Sequence, residues 1–258
     1  YMPEQDHLRA FKNGATGGFV ATSLAETLDR LVEIGKELKK TCPTADWEVS
    51  LEKALENSFV NMPEIEGKIA IGADVSGSMS SETSKDGSTR CIDICGIFTA
   101  ALLKKSKNNV HVLPFETEVV HADISSTDRF LDIVKTIESI HGGGTAIAAP
   151  IEHMLKNNIS IDTFIGITDN EEWAYGEGYN VSGSFIKAWR KYKKEVNPDA
   201  QAFLLTIAPY QDTVAPKKEK DVHFIYGWSA DVPKYIALQS KSKDMSAQLE
   251  AIQNIALS

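Results

Sequence analysis

The chain has 258 residues, 42% of them hydrophobic and 24% charged, which is enough to bury a sizeable core in one large domain or one domain with an appendage. Its net charge of −9 excludes a protein that wraps nucleic acid over its whole surface, because phosphate binding draws on Lys and Arg, and leaves room only for a local basic patch. No apolar run approaches the roughly 18 residues a bilayer-spanning helix needs, and the first residues lack the pattern of a secretory leader, so a cytoplasmic protein with no membrane partner is expected.

The first methionine is Met2, behind Tyr1, and a piece of a longer protein is one expectation. Two amphipathic helices come first. Leu24, Leu28, Leu31 and Ile34 share a stripe over residues 24–40, and Trp47, Leu51, Leu55 and Phe59 share another over 47–60. Pro43 breaks the chain between them, with Thr44 or Asp46 placed to cap the second helix, and "MPEIEG" (62–67) reads as a linker.

From Lys68 the pattern turns to apolar runs alternating with helical stretches, the signature of crossover units and a mostly parallel sheet. Residues 68–74 read as a buried strand and 90–106 as a helix; 110–115 and 118–122 are able to pair as a hairpin. Helices are expected over 128–140 and 145–158, then a second apolar strand over 162–169 that ends in an acid. A basic helix (184–196), strands at 202–208 and 222–227, and helices near 231–240 and 243–256 complete the chain.

Of three cysteines, Cys91 and Cys95 lie four apart inside an apolar helical pattern, which suits reduced core thiols; the rival reading, a zinc half-site, lacks a second Cys or His pair at finger-like spacing.

Three polar loops should emerge at the carboxyl edge of the sheet, where open parallel α/β sheets bind ligands. One holds Asp74, Ser76 and Ser78 at alternate positions; the second, "HGGGTAIA" (141–148), leads through a triple glycine to Thr145 at the expected start of a helix; the third ends a strand with Asp169. Two carboxylates and three hydroxyls, with no imidazole or thiolate, form a hard-oxygen set suited to Mg²⁺, Mn²⁺ or Ca²⁺. Having only two acids leaves a coordination position open for a water or a partner's anionic group. Glycine at 77 and 142–144 would let the backbone turn sharply beside the ion. Read singly, the serines and Asp74 are equally at home as helix-capping and turn residues.

In order and spacing, "DVSGS", Thr145 and Asp169 resemble the metal-ion-dependent adhesion site of von Willebrand factor A domains. That resemblance implies a three-layer, Rossmann-like α/β fold with helices on both faces of a mostly parallel sheet, and Asp74, Ser76, Ser78, Thr145 and Asp169 as direct or water-mediated ligands. A closer resemblance is carried by "GGGTAIAAPIEHML", "DTFIGITDNEEWA", "FIKAWRKYKK" and "YGWSADVPKYI", which are similar to the A domain of the Ro (TROVE) ribonucleoprotein family over roughly residues 45–240. It implies an A domain over 63–258, residues 1–62 as the end of a helical-repeat region, a noncoding (Y) RNA as partner, and a binding module rather than an enzyme. Asn170, Glu171, Glu172 and Trp173 would then rim the crevice.

Two other readings stay open. A generic A domain would bind a protein carboxylate through the metal with no RNA; a metal-dependent phosphohydrolase would use Asp74 as nucleophile, although position 76, where a second acid is usual, is Ser. The helix 184–196 places Lys187, Arg190, Lys191 and Lys194 on one side with Trp189 and Tyr192 nearby, either a solvated face or an RNA phosphate contact, to which Lys217, Lys218 and Lys220 would add.

Overall fold

The computed structural model describes residues 49, 52–53, 62–83, 89–106, 110–140, 142–169, 185–207, 221–227 and 231–241. The helix expected over 24–40 and that over 243–256 lie outside them, and of the helix expected over 47–60 only Val49, Glu52 and Lys53, all helical, lie within.

Five runs rich in Ile, Val, Phe and Leu form strands: β1 (Ile69–Asp74), β2 (Val110–Phe115), β3 (Thr163–Thr168), β4 (Gln201–Thr206) and β5 (Val222–Tyr226). All pair in parallel in the order β2-β1-β3-β4-β5. Every residue of β1 and β3 is buried, as expected of strands covered on both faces. The hairpin expected after β2 is reduced to a single antiparallel bridge between Phe115 and Val119. Pro114 accepts a hydrogen bond from the Val120 N–H at 2.8 Å but has no N–H to return, and the ladder stops there.

Between the strands run α1 (Cys91–Lys105), α2 (Phe130–Ser139), α3 (Ala149–Lys156) and α4 (Phe185–Glu195), and α5 (Asp231–Lys241) follows β5. Alternate strand residues divide between two layers. Ile69, Ile71, Ala73, Ile165, Ile167, Phe203 and Leu205 pack with Cys95, Phe98 and Leu102 of α1 and Val232 and Ile236 of α5. Ala70, Phe164, Ala202 and Leu204 face the other way, onto Ile151 and Met154 of α3 and Phe185, Trp189 and Tyr192 of α4. The result is the three-layer α/β architecture with helices on both faces. Gly72 belongs to the second layer, where a Cβ would stand 2.8 Å from the Phe164 ring.

α3 starts at Ala149, four residues later than the sequence pattern implies, with Pro150 in its first turn, where a missing N–H costs nothing. The N-terminus of α2 is capped from far along the chain: Arg129, at its N-cap, makes no side-chain capping bond, and the buried Glu52 carboxylate accepts from the N–H groups of Phe130 and Leu131.

The second layer is held by an aromatic stack. Trp189 lies between Phe185 and Tyr192 at centroid distances of 6.0 and 5.5 Å, and the Tyr192 hydroxyl accepts from the Ile161 N–H at 2.8 Å and donates to the Ile159 carbonyl at 2.9 Å. Tyr192→Phe strands the buried Ile161 amide, so the expected loss is about 2 kcal/mol, seen as a fall of about 4–8 °C in Tm by calorimetry.

Candidate metal centre

The chain leaves β1 to build β2 on one side and returns to build β3 on the other, so the carboxyl ends of β1 and β3 flank a topological switch point, where open α/β sheets form their ligand crevice. Asp74 is the last residue of β1 and Asp169 follows the last residue of β3. Although 95 positions apart in sequence, they sit on neighbouring strands.

Asp74 has no solvent exposure. One of its carboxylate oxygens accepts from the Ser76 N–H at 2.8 Å, and the other accepts from the Thr168 hydroxyl. Ser76 then stands at the N-cap of a short 3-10 turn, Gly77–Ser80, without a side-chain capping bond, and Met79 pins the turn into the core. That turn brings the Ser76 and Ser78 hydroxyl oxygens within 3.1 Å of one another. Ser78 donates to an Asp169 carboxylate oxygen at 3.0 Å. Ser76, Ser78 and Asp169 are thus joined through side-chain oxygens and Asp74 joins them through the Ser76 N–H, with Asp74 at the floor and the exposed Ser78 at the mouth.

The second loop, with its glycines, is stitched against the first. The Gly142 N–H donates to the Val75 carbonyl at 3.0 Å and the Gly77 N–H to the Gly143 carbonyl at 3.3 Å. Glu116, just past β2, holds the same loop, accepting from the Gly143 N–H at 2.6 Å through its side chain and from the Ala146 N–H at 2.6 Å through its backbone. Thr145 lies within this loop, half-buried. Of the glycines here, only Gly142 is demanded by space: a Cβ on it would meet the Val75 carbonyl oxygen at 2.6 Å and the Glu116 Cβ at 2.7 Å. None of Gly77, Gly142, Gly143 and Gly144 has a positive φ, so close approach rather than a sharp left-handed turn explains the glycine.

Burial pushes the Asp74 carboxyl up to about 6, opposed by the hydrogen bonds from Thr168 and Ser76 and reinforced by the Asp169 charge. Burial raises Asp169 as well, against the Ser78 hydrogen bond. Among the described residues neither carboxylate has a Lys, Arg or His partner. Two buried acids without counter-charge, joined by hydroxyl oxygens, fit a divalent ion bound by hard oxygen ligands. Among the described residues no three His, Cys, Asp or Glu side chains gather anywhere, so an ion here would rely on hydroxyls as well as acids. Cys91 and Cys95 are buried free thiols in the same neighbourhood. Burial and the two aspartates push Cys91 up to about 12, and burial raises Cys95 too, so both are protonated core thiols.

The family model described as "Ro60 vWA domain" matches residues 68–238. The chain belongs to the Ro60 vWA domain family. Two curated proteins named "RNA-binding protein RO60" are similar to it: one from Caenorhabditis elegans, 23% identical over 188 residues, and one from Deinococcus radiodurans, 22% identical over 194. The alignments cover 72% and 71% of this chain but only 28% and 34% of those relatives, so the chain spans about a third of their length. The crystal structure of the Deinococcus radiodurans RO (RSR) protein superposes with a TM-score of 0.63 at 19% identity, over 78% of this chain and 40% of that one, which agrees with the observed fold.

For this Ro60 vWA domain, sequence reading anticipated Asp74, Ser76, Ser78 and Asp169, which hydrogen bonds bring together, and Thr145, whose loop is bonded to theirs. It missed Thr168 and Glu116. A Thr before an acid at a strand end was the only signal for Thr168; nothing marked Glu116, whose partner is 27 positions away. The rim residues Asn170, Glu171, Glu172 and Trp173, together with Lys217, Lys218 and Lys220, lie outside the described residues. Lys187, Arg190, Lys191 and Lys194 are all exposed on α4. Trp189 and Tyr192, expected beside them, are instead 2% and 0% exposed, because they form the apolar side of that helix. Among the described residues no helix is long and apolar enough to cross a membrane.

Proposed function

We propose that this chain is a non-catalytic, metal-dependent binding domain of a Ro-like RNA-binding protein. Asp74, Ser76, Ser78, Thr145 and Asp169 would hold one Mg²⁺, or Mn²⁺ or Ca²⁺ in its place, directly or through water. An oxygen from a partner, a phosphate of a noncoding RNA or a protein carboxylate, would complete the shell. The bound ion supplies positive charge at the mouth of the crevice. The chain's own residues set the geometry: Thr168 and the Ser76 N–H orient Asp74, Ser78 orients Asp169, and the Glu116-anchored loop carries Thr145. The observation that carries the reading is the hydrogen-bonded path from Asp74 through Ser76 and Ser78 to Asp169, two buried acids with no cationic neighbour among the described residues. The RNA setting is supported by the names of the two curated relatives.

Isothermal titration of Mg²⁺ and Mn²⁺ into the protein tests it. One ion per chain is expected, with affinity at least tenfold weaker in Ser76→Ala/Ser78→Ala, and no hydrolysis of an aryl phosphate in excess Mg²⁺. Absence of ion binding, or turnover lost in Asp74→Asn, would overturn it.

A further inference from the structure

We infer that the outer face of α4, together with the groove between α4 and α3, binds the phosphodiester backbone of double-stranded RNA at a surface separate from the metal crevice. α4 carries Lys187, Arg190, Lys191, Lys193 and Lys194 against one acid, Glu195, in a chain whose net charge is −9. Phe185, Ala188, Trp189 and Tyr192 are buried, so the exposed cations at 187, 190, 191 and 194 form one stripe about 10 Å long. Beside it runs a groove of about 460 Å³, with Lys156 of α3 on one wall, Lys187 and Lys191 on the other, and Leu155 and Ala188 among its apolar lining. Glu152 and Glu195 border the groove and moderate the charge of the three lysines that line it, while Arg190 and Lys194 lie on the same exposed stripe of α4.

What this face lacks selects its ligand. Among the described residues the exposed large apolar side chains are Val49, Tyr226, Tyr235 and Leu238, none on α3 or α4, so there is nothing to insert into a membrane interface. The aromatic side chains of α4 are turned inward, so no ring is presented for a single-stranded base to stack on. Phosphate contact remains. The cations also stand on a fixed scaffold: the Tyr192 hydroxyl is bonded on both sides, the Trp189 ring is stacked between two others, and Lys193 is tied to Asp221 at 2.5 Å. A rigid row of charge matches the regular phosphate array of a duplex better than a flexible strand. The choice of RNA among polyanions rests on the function proposed above; the surface itself makes no use of the ion.

Fluorescence anisotropy with the full chain and a labelled RNA duplex of about 20 base pairs, across about 50–200 mM salt, tests the assignment. The expected slope of log K against log salt is about −3, the signature of some three or four phosphate contacts at ~0.9 each. Lys187→Glu/Arg190→Glu/Lys191→Glu should weaken binding more than tenfold. The milder Lys187→Gln/Lys191→Gln should weaken it less, at unchanged Tm. Failure to bind the duplex, tighter binding to a single strand of the same length, equal binding to phosphatidylserine vesicles, or indifference to charge reversal would each overturn the proposal. RNA binding lost in Asp74→Asn but retained in the α4 variants would overturn it while supporting the metal crevice as the RNA site.

Discussion

Asp74→Asn is expected to stabilise the metal-free protein at pH 7.5 by up to about 3 kcal/mol while abolishing its response to magnesium. The Asp74 carboxyl titrates near 6 in the fold against 3.8 for a free aspartate, chiefly because it is fully buried. Below pH 3.8 both states hold the proton and the group contributes nothing. Between 3.8 and about 6 the unfolded chain releases it while the folded chain keeps it, so stability falls as pH rises; above about 6 the full cost, ~3 kcal/mol at 1.36 kcal/mol per unit, is present. Asparagine never ionises, yet it can still accept from the Ser76 N–H and offer its amide to the Thr168 hydroxyl, so the cost disappears and the hydrogen bonds remain. Magnesium requires the ionised carboxylate. Its stabilisation of the wild type should therefore grow as pH rises through about 6. Thermal unfolding at pH 5, 6 and 7.5, with and without 5–10 mM Mg²⁺ (about 0.01 M, an excess over any site of interest), reads both effects. An Asn variant that is less stable without metal at pH 7.5, or that still gains Tm from magnesium, would contradict the site.

Gly142→Ala is expected to cost about 2–3 kcal/mol and to weaken ion binding at least tenfold, although glycine 142 supplies no ligand. Its new methyl group would sit 2.6 Å from the Val75 carbonyl oxygen, backbone that cannot swing aside, and 2.7 Å from the Glu116 Cβ. The loop must back away, breaking the Gly142–Val75 and Gly77–Gly143 hydrogen bonds and shifting the segment that carries Thr145. Gly143→Ala and Gly144→Ala are the controls. Their nearest contacts are the flexible tip of Glu116 at 3.2 Å and the Thr117 methyl at 3.3 Å, so each should change stability by less than ~1 kcal/mol and leave ion affinity nearly intact. Denaturant melts and Mg²⁺ titrations of the three variants check this. Equal effects at all three positions would mean that chain flexibility, and not the approach of two backbones, governs the loop.

The strands and their order of appearance were legible because the central ones, β1, β3 and β4, are apolar runs buried on both faces, a pattern that needs no knowledge of neighbours, and the half-buried edge strands β2 and β5 are short apolar runs as well. Helix boundaries were less so: the pattern over 145–158 begins with small and apolar residues that read as helical, whereas the Glu116 carbonyl holds the Ala146 N–H and delays the helix to Ala149. The short return strand after β2 was overread, since Val119 and Val120 have strand-like side chains, but beyond the Phe115–Val119 bridge Val120 meets Pro114, which cannot complete the ladder. Trp189 and Tyr192 illustrate the same limit, for helical spacing puts them near the basic stripe and only packing tells which side of the helix is covered.

By itself, then, the order of residues determined the fold class and the oxygen chemistry of the crevice, because strand burial and the acid and hydroxyl residues at strand ends are local properties of the chain. Only the tertiary structure decided which oxygens meet, that Asp74 is fully buried and hard to ionise, that Thr168 and Glu116 support the loops, and that one glycine of the triplet is indispensable. These depend on contacts between strands and loops as many as 94 residues apart, and the distances that fix them exist only once the sheet is assembled.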